Sequence, residues 1–168
     1  MAGAVAAAAD LPKVRLINVH ALGGLAMMRA AREAVAARKK KPPALLGVTI
    51  LTSMDEPALR RVGVSGPPAT RVVALALLAK EAGLDGVVAS AQEARAIRLA
   101  CGPKFLIVVP GVRPAGANLN DQSRVATPAE AIRAGASYLV VGRPVTAAKD
   151  PCAAARAIAK EISLARGA

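Results

Sequence analysis

GVRPAGANLNDQSRV (111–125), followed after Ala126 by TPAEAIRAGASYLVVGRPVTAAKDP (127–151), is the stretch on which the fold turns. The apolar run ahead of Pro110 and the run Tyr138-Leu-Val-Val ahead of Gly142 both read as buried strands, with a helical segment between them. Each strand end delivers an arginine, Arg113 or Arg143, together with backbone N–H groups. A glycine turn, a guanidinium and a helix start converging on one point suit an anion, and a phosphate above all.

The same alternation extends backwards through the chain. Strand-like runs fall at 14–20, 44–50, 86–90, 104–109 and 137–141, and helical patterns at 25–38, 67–82, 91–101, 128–135 and 150–165. In the second of these helices Val72, Val73, Leu75, Ala76 and Ala79 form one apolar stripe. Residues 2–9, nearly all alanine, read as a short helix. The five strands are continuous in apolar residues, as parallel strands covered on both faces are. Strict alternation implies an α/β architecture with right-handed crossovers. No linker, repeat or low-complexity segment interrupts it, so residues 1–168 read as a single domain. At 168 residues the chain is too short for a complete eight-unit barrel, which needs about 200.

Composition narrows the partners. The net charge of +12 favours anionic ligands. Surfaces that read single-stranded nucleic acid interleave basic residues with stacking aromatics, and Phe105 and Tyr138 are the only aromatics here. A small phosphorylated ligand needs no such platform, and no nucleic-acid partner is expected. The basic run Arg38-Lys-Lys-Lys41 reads as a solvated helix end, with a polyanion contact as the alternative. Cys101 and Cys152 lack metal-ligand spacing and read as two buried, reduced thiols. The alanine-rich start lacks a basic leader, and no window reaches the roughly 18 apolar residues of a membrane span. A cytoplasmic protein with no membrane partner is the expectation.

In parallel α/β folds the ligand lies beyond the carboxyl ends of the strands. Those ends read His20-Ala-Leu-Gly-Gly24, Leu51-Thr-Ser-Met-Asp55, Ser90-Ala-Gln-Glu93, Pro110-Gly-Val-Arg113 and Gly142-Arg-Pro-Val-Thr146. A phosphate between the last two would meet the Gly142 N–H, the Arg143 guanidinium and the start of a short helix. The bland alternative is a turn with a surface arginine.

Six segments, in order, carry a resemblance: NVHALGG (18–24), VTILTSMDE (48–56), GLDGVVASAQE (83–93), PGVRP (110–114), DQSRV (121–125) and VVGRPVTAAKDP (140–151). Together they resemble the bacterial type of orotidine 5′-phosphate decarboxylase over essentially the whole chain. That family is a (β/α)₈ barrel, usually a homodimer, which converts orotidylate to uridylate without metal or organic cofactor. The resemblance therefore implies a partial TIM-type barrel of five parallel strands. It implies that Arg113, Gln122, Gly142 and Arg143 hold the substrate phosphate, with Gln122 also within reach of the pyrimidine, and that Thr52 contacts the nucleotide near its base. His20 is placed only at a strand end near the pocket, and reads as a hydrogen-bonded structural histidine.

One departure from the family bears on chemistry. The family's catalytic centre is an Asp-x-Lys-x-x-Asp motif on the strand before NVHALGG. None of the aspartates at 10, 55, 85, 121 and 150 has a lysine two residues on, so no catalytic residue is assigned. Loss of CO₂ leaves a poorly stabilised carbanion, which calls for a fixed cation and a proton donor. A phosphate grip supplies remote binding energy instead. The expectation is the C-terminal two thirds of such an enzyme, inactive alone, with Met1 standing where a late gene start would fall. An inactive nucleotide-binding module, half of a split barrel, and a basic nucleic-acid-associated protein are the competing readings.

Overall fold

The computed structural model describes residues 1–38, 42–114 and 125–167. Among them, five strands form one parallel sheet in sequential order: β1 (Leu16–His20), β2 (Ala44–Val48), β3 (Gly86–Val88), β4 (Leu106–Val109) and β5 (Tyr138–Leu139). The helices between and around them are α1 (Ala2–Asp10), α2 (Gly24–Ala36), α3 (Glu56–Arg61), α4 (Pro68–Glu81), α5 (Ala91–Cys101), α6 (Pro128–Arg133), α7 (Arg143–Thr146) and α8 (Pro151–Gly167), with a 3₁₀ turn at Ala21–Gly23. The expected alternation is therefore present. Strands come out shorter than their apolar runs, because a ladder needs a partner of equal length as well as branched side chains.

Alternation along each strand separates two faces. Val19, Leu45, Val87, Ile107 and Val109 point into one core with Met28, Ala31 and Val35 of α2, Val72, Ala76 and Ala79 of α4, and Ala94 and Ile97 of α5. Burying a side chain such as Ile97 or Ile107 contributes about 1.5–3 kcal/mol. The opposite face behaves differently. Leu46, Val48 and Val108 are buried at its middle, yet Leu16, Asn18 and His20 on β1 and Tyr138 and Val140 at the other edge are exposed. The expectation of cover on both faces thus holds for the central strands and fails at the edges. An edge strand has a neighbour on one side only, and its inner face meets solvent.

Backbone geometry shows which groups of β1 face outward. The Ala44 N–H donates to the Arg15 carbonyl at 2.9 Å. Bonding in a parallel ladder alternates along the strand, so Arg15, Ile17 and Val19 address β2. Leu16, Asn18 and His20 turn their N–H and C=O groups to the free edge.

Side chains fasten the amino ends of the strands. Arg98, on the last turns of α5, donates to the carbonyls of Gly102, Pro103, Phe105 and Gly135 and to the Ser137 hydroxyl. The Ser137 Oγ also accepts from the Ile107 N–H, tying β4 to β5. Asp85 does the equivalent one strand earlier: its carboxylate accepts from the Leu45 N–H at 2.8 Å and from Arg32 of α2 at 3.1 Å. Gly86 opens β3 where a Cβ would stand 2.2 Å from the Leu106 carbonyl oxygen, so only glycine permits this approach.

Two smaller expectations change. Cys101 is buried, and burial pushes its thiol above the usual range, but Cys152 is exposed near the start of α8. Of the basic run, Arg38 pairs with Asp10 of α1 at 3.1 Å; residues 39–41 lie outside the described residues.

Candidate functional site

The carboxyl ends of β2, β3 and β4 surround a hollow of about 200 Å³, lined by Ile50, Leu51, Thr52, Ser53, Ala89 and Pro110 among others. Its floor is rigid. Thr49 donates both its N–H (3.1 Å) and its hydroxyl (2.9 Å) to the Val88 carbonyl, and the Ala89 N–H donates to Val108 at 3.1 Å. Thr52 itself is buried. The structure thus brings Thr52 to the end of β4, on the wall of a mostly apolar recess. Larger hollows of about 670 and 610 Å³ open at the opposite end, around Lys13, Pro42 and Pro43. The strand starts lie there, where side chains stabilise such folds; ligands are met at the carboxyl ends.

Arg113 leaves the end of β4 in a way its sequence context does not reveal. Val112 bridges to Ala126, and the Arg113 N–H donates to the Ala126 carbonyl at 2.9 Å, so the chain on both sides of 115–124 is pinned together. The guanidinium is buried, with one nitrogen donating to the Val112 carbonyl at 2.9 Å. Its Nε has no partner among the described residues. A buried guanidinium with donor capacity in reserve is suited to an incoming anion.

Gly142 and Arg143 follow the neighbouring strand, whose Val140 N–H donates to Val109 at 2.9 Å. Arg113 and Gly142-Arg143 thus follow the two paired strands β4 and β5. The short helix contributes less than expected. The Val145 and Thr146 N–H groups both donate to the Gly142 carbonyl, at 2.9 and 3.0 Å, and Pro144 has none. The N–H groups of Val145 and Thr146 are thereby spent within the turn itself. Gly142 adopts φ −104° and ψ −107°, and open space surrounds the position where a Cβ would stand. Arg143 is exposed.

Gln122, with the rest of DQSRV up to Arg124, lies outside the described residues. His20 ends β1 as an exposed residue whose side chain makes no cap hydrogen bond to the turn that follows. Glu93, in the strand-end segment Ser90-Ala-Gln-Glu93, is buried in the first turn of α5, behind the end of β3. The pattern Ser90-x-x-Glu93 marks a helix start but gives no hint of burial.

Comparison with other proteins places the chain in a family. Residues 1–158 match the profile described as the Orotidine 5′-phosphate decarboxylase / HUMPS family. A protein of Moorella thermoacetica named orotidine 5′-phosphate decarboxylase is 60% identical over 158 residues, spanning 91% of this chain and 63% of its own length. One of the same name from Nitrosococcus oceani is 57% identical over 163 residues, spanning 97% of this chain and 69% of its own. The crystal structure of orotidine 5′-phosphate decarboxylase from Lactobacillus acidophilus superposes with a TM-score of 0.82 at 39% identity, covering 96% of this chain and 68% of that one. The chain thus spans between 63 and 69% of the length of these relatives.

Proposed function

Because the chain belongs to the orotidine 5′-phosphate decarboxylase / HUMPS family, we propose that it forms the nucleotide-holding part of a carboxy-lyase converting orotidylate to uridylate and CO₂. The observation that carries this is the placement of Arg113 and Gly142-Arg143 at the ends of the paired strands β4 and β5, with Thr52 in the recess beside them. In this reading the 5′-phosphate lies between the two strand ends. Arg143 supplies an exposed guanidinium that a dianion can recruit, Arg113 a buried one, and Gly142 a backbone N–H with no side chain in the way. Gln122 joins the same group and reaches the pyrimidine. Thr52 bounds the base from the β2 side, where Ile50, Leu51 and Ala89 keep the recess dry.

The chemical demand divides the labour. The carbanion left at C6 needs a fixed cation and a proton at that carbon, and the phosphate contacts lie far from it. Their role is to hold the nucleotide so that the binding energy is available in the transition state. The 168 residues contain no Asp-x-Lys-x-x-Asp, which favours a second reading of the chain by itself: a nucleotide monophosphate binder without turnover, or half of a split barrel. A single domain, the family's homodimer, a cytoplasmic setting and chemistry without metal or organic cofactor complete the proposal. Among the described residues no helix is long and apolar enough to cross a membrane.

Calorimetric titration with uridylate tests the grip. Arg143→Ala is expected to weaken binding about tenfold to a hundredfold, the worth of one or two charge-assisted hydrogen bonds. Unchanged affinity in that variant, or binding of uridine as tight as of uridylate, would remove the phosphate from the site. Turnover of orotidylate by a monodisperse sample of these 168 residues would overturn the division of labour.

A further inference from the structure

Thr49 carries a hydroxyl that the fold itself does not require. It follows the last residue of β2 and is buried. A Cβ on Gly47 would meet Ala79 of α4 at 3.2 Å, so by strand alternation Thr49, like Gly47, faces the helices. A valine would fill that place and continue the apolar run. The Thr49 N–H already donates to the Val88 carbonyl at 3.1 Å, which satisfies that oxygen before the hydroxyl adds a further bond at 2.9 Å. The peptide unit joining Val88 to Ala89 is held on its other side too, where the Ala89 N–H donates to the Val108 carbonyl at 3.1 Å. This peptide is therefore tied to β4 once and to the end of β2 twice, and the hydroxyl supplies the tie that backbone pairing does not.

The tethered peptide forms one wall of the recess at the strand ends. Val88 and Ala89 line it from β3, Ile50 and Thr52 from the β2 side, and Thr49 lies behind them. We propose that Thr49 is a positioning residue: its hydroxyl fixes the spacing of these two walls, and with it the fit of the pyrimidine ring, without touching the nucleotide. A bond across the gap between two strand ends acts on width. Arg113 and Gly142-Arg143 follow β4 and β5, beyond its reach. Width matters because the recess is small. At about 200 Å³ it leaves little slack around a flat ring, and a slight widening opens a gap too narrow for water, where dispersion contacts are lost outright. Walls fixed in advance also spare the ligand the cost of ordering them. The proposal rests on the nucleotide reading of the recess and deepens it by one residue.

Two variants separate position from stability: Thr49→Val removes the hydroxyl and keeps the shape, whereas Thr49→Ser keeps the hydroxyl. The Val88 carbonyl retains its backbone bond in both, so Thr49→Val should move the circular dichroism melt by less than about 3 °C. Without ligand, exchange of the Ala89 amide should quicken about fivefold in Thr49→Val, while that of Ile107, bonded to Ser137 instead, stays as it was. In calorimetry Thr49→Val should bind uridylate about fivefold more weakly and ribose 5-phosphate, which lacks the ring, as before. Thr49→Ser should restore both the exchange rate and the affinity. A role in stability alone predicts a lowered melt and equal weakening of the two ligands. Unchanged Ala89 exchange, equal weakening, or no rescue by serine overturns the proposal. So does a parent chain that binds ribose 5-phosphate as tightly as uridylate, an outcome that leaves the phosphate grip standing. A parent chain that binds neither ligand defeats the nucleotide reading, and the pyrimidine part of this proposal with it; the tie between the walls is then upheld or overturned by the Ala89 exchange rate.

Discussion

At the amino ends of the strands, two charged side chains are taken up by the fold: Arg98 reaches four carbonyls and a hydroxyl, and Asp85 clamps α2 to β2. At the carboxyl ends Arg113 is buried with an Nε that has no partner among the described residues, and Arg143 stands exposed. Both ends are rich in arginine. The difference between Arg98 and Arg113 teaches that arginine content alone does not mark a site; how far each guanidinium is engaged matters too. A guanidinium saturated by carbonyls resists change and stabilises, whereas one left with donor capacity in a buried place costs stability and gains affinity for an anion.

That contrast can be broken at three places. The largest effect is expected from Gly86→Ala, since a Cβ 2.2 Å from the Leu106 oxygen must force β3 from β4; a loss of about 3 kcal/mol in urea unfolding is expected. A loss under about 1 kcal/mol would mean that the amino end yields more easily than its bonds suggest. Next comes Arg98→Ala, which strands part-buried carbonyls and should cost about 2 kcal/mol. Arg98→Lys should recover little of it, because one ammonium cannot reach both the loop before β4 and that before β5. The smallest shift, and of opposite sign, belongs to Arg113→Leu: the unfolding midpoint should hold or rise, by up to about 1 kcal/mol, while uridylate affinity falls. A destabilised Arg113→Leu protein would show that this arginine serves the fold like Arg98, and the distinction between the ends would collapse.

Much of this architecture was legible because periodicity is a local property. The apolar runs at 14–20, 44–50, 86–90, 104–109 and 137–141 each contain the observed strand, and 91–101 coincides with α5. The short helix α3 was missed although it carries its own signal: Asp55 caps it, accepting from the Ala58 N–H at 2.9 Å, with Pro57 in the first turn. Six residues between two loops are too few for a periodic stripe. Burial was harder to read than secondary structure. Nothing in Leu16-Ile-Asn-Val-His20 says that it is an edge, since that depends on what pairs beside it. Likewise Cys152 and His20 are exposed for reasons of place, whereas Arg113, an ordinary loop residue by type, is buried because Val112 and Ala126 fold the chain over it. The candidate site was legible as a set of strand ends, and the degree to which each donor is already engaged was not.

The capping of α6 has a bearing on anion choice. Thr127 and Glu130 exchange hydrogen bonds with each other's backbone, which holds the Glu130 carboxyl below its ordinary range, while the Ala129 N–H is taken by Glu161 of α8 at 2.9 Å and Pro128 has none to give. Two helices begin close behind the paired strands β4 and β5, and both are positive at their starts. One of them is sealed by carboxylates, so a ligand dianion arriving there meets repulsion. The lock on α6 thereby sharpens the proposed reading: with one of two similar berths closed by Glu161 and Glu130, the proposed phosphate is left the turn at Gly142.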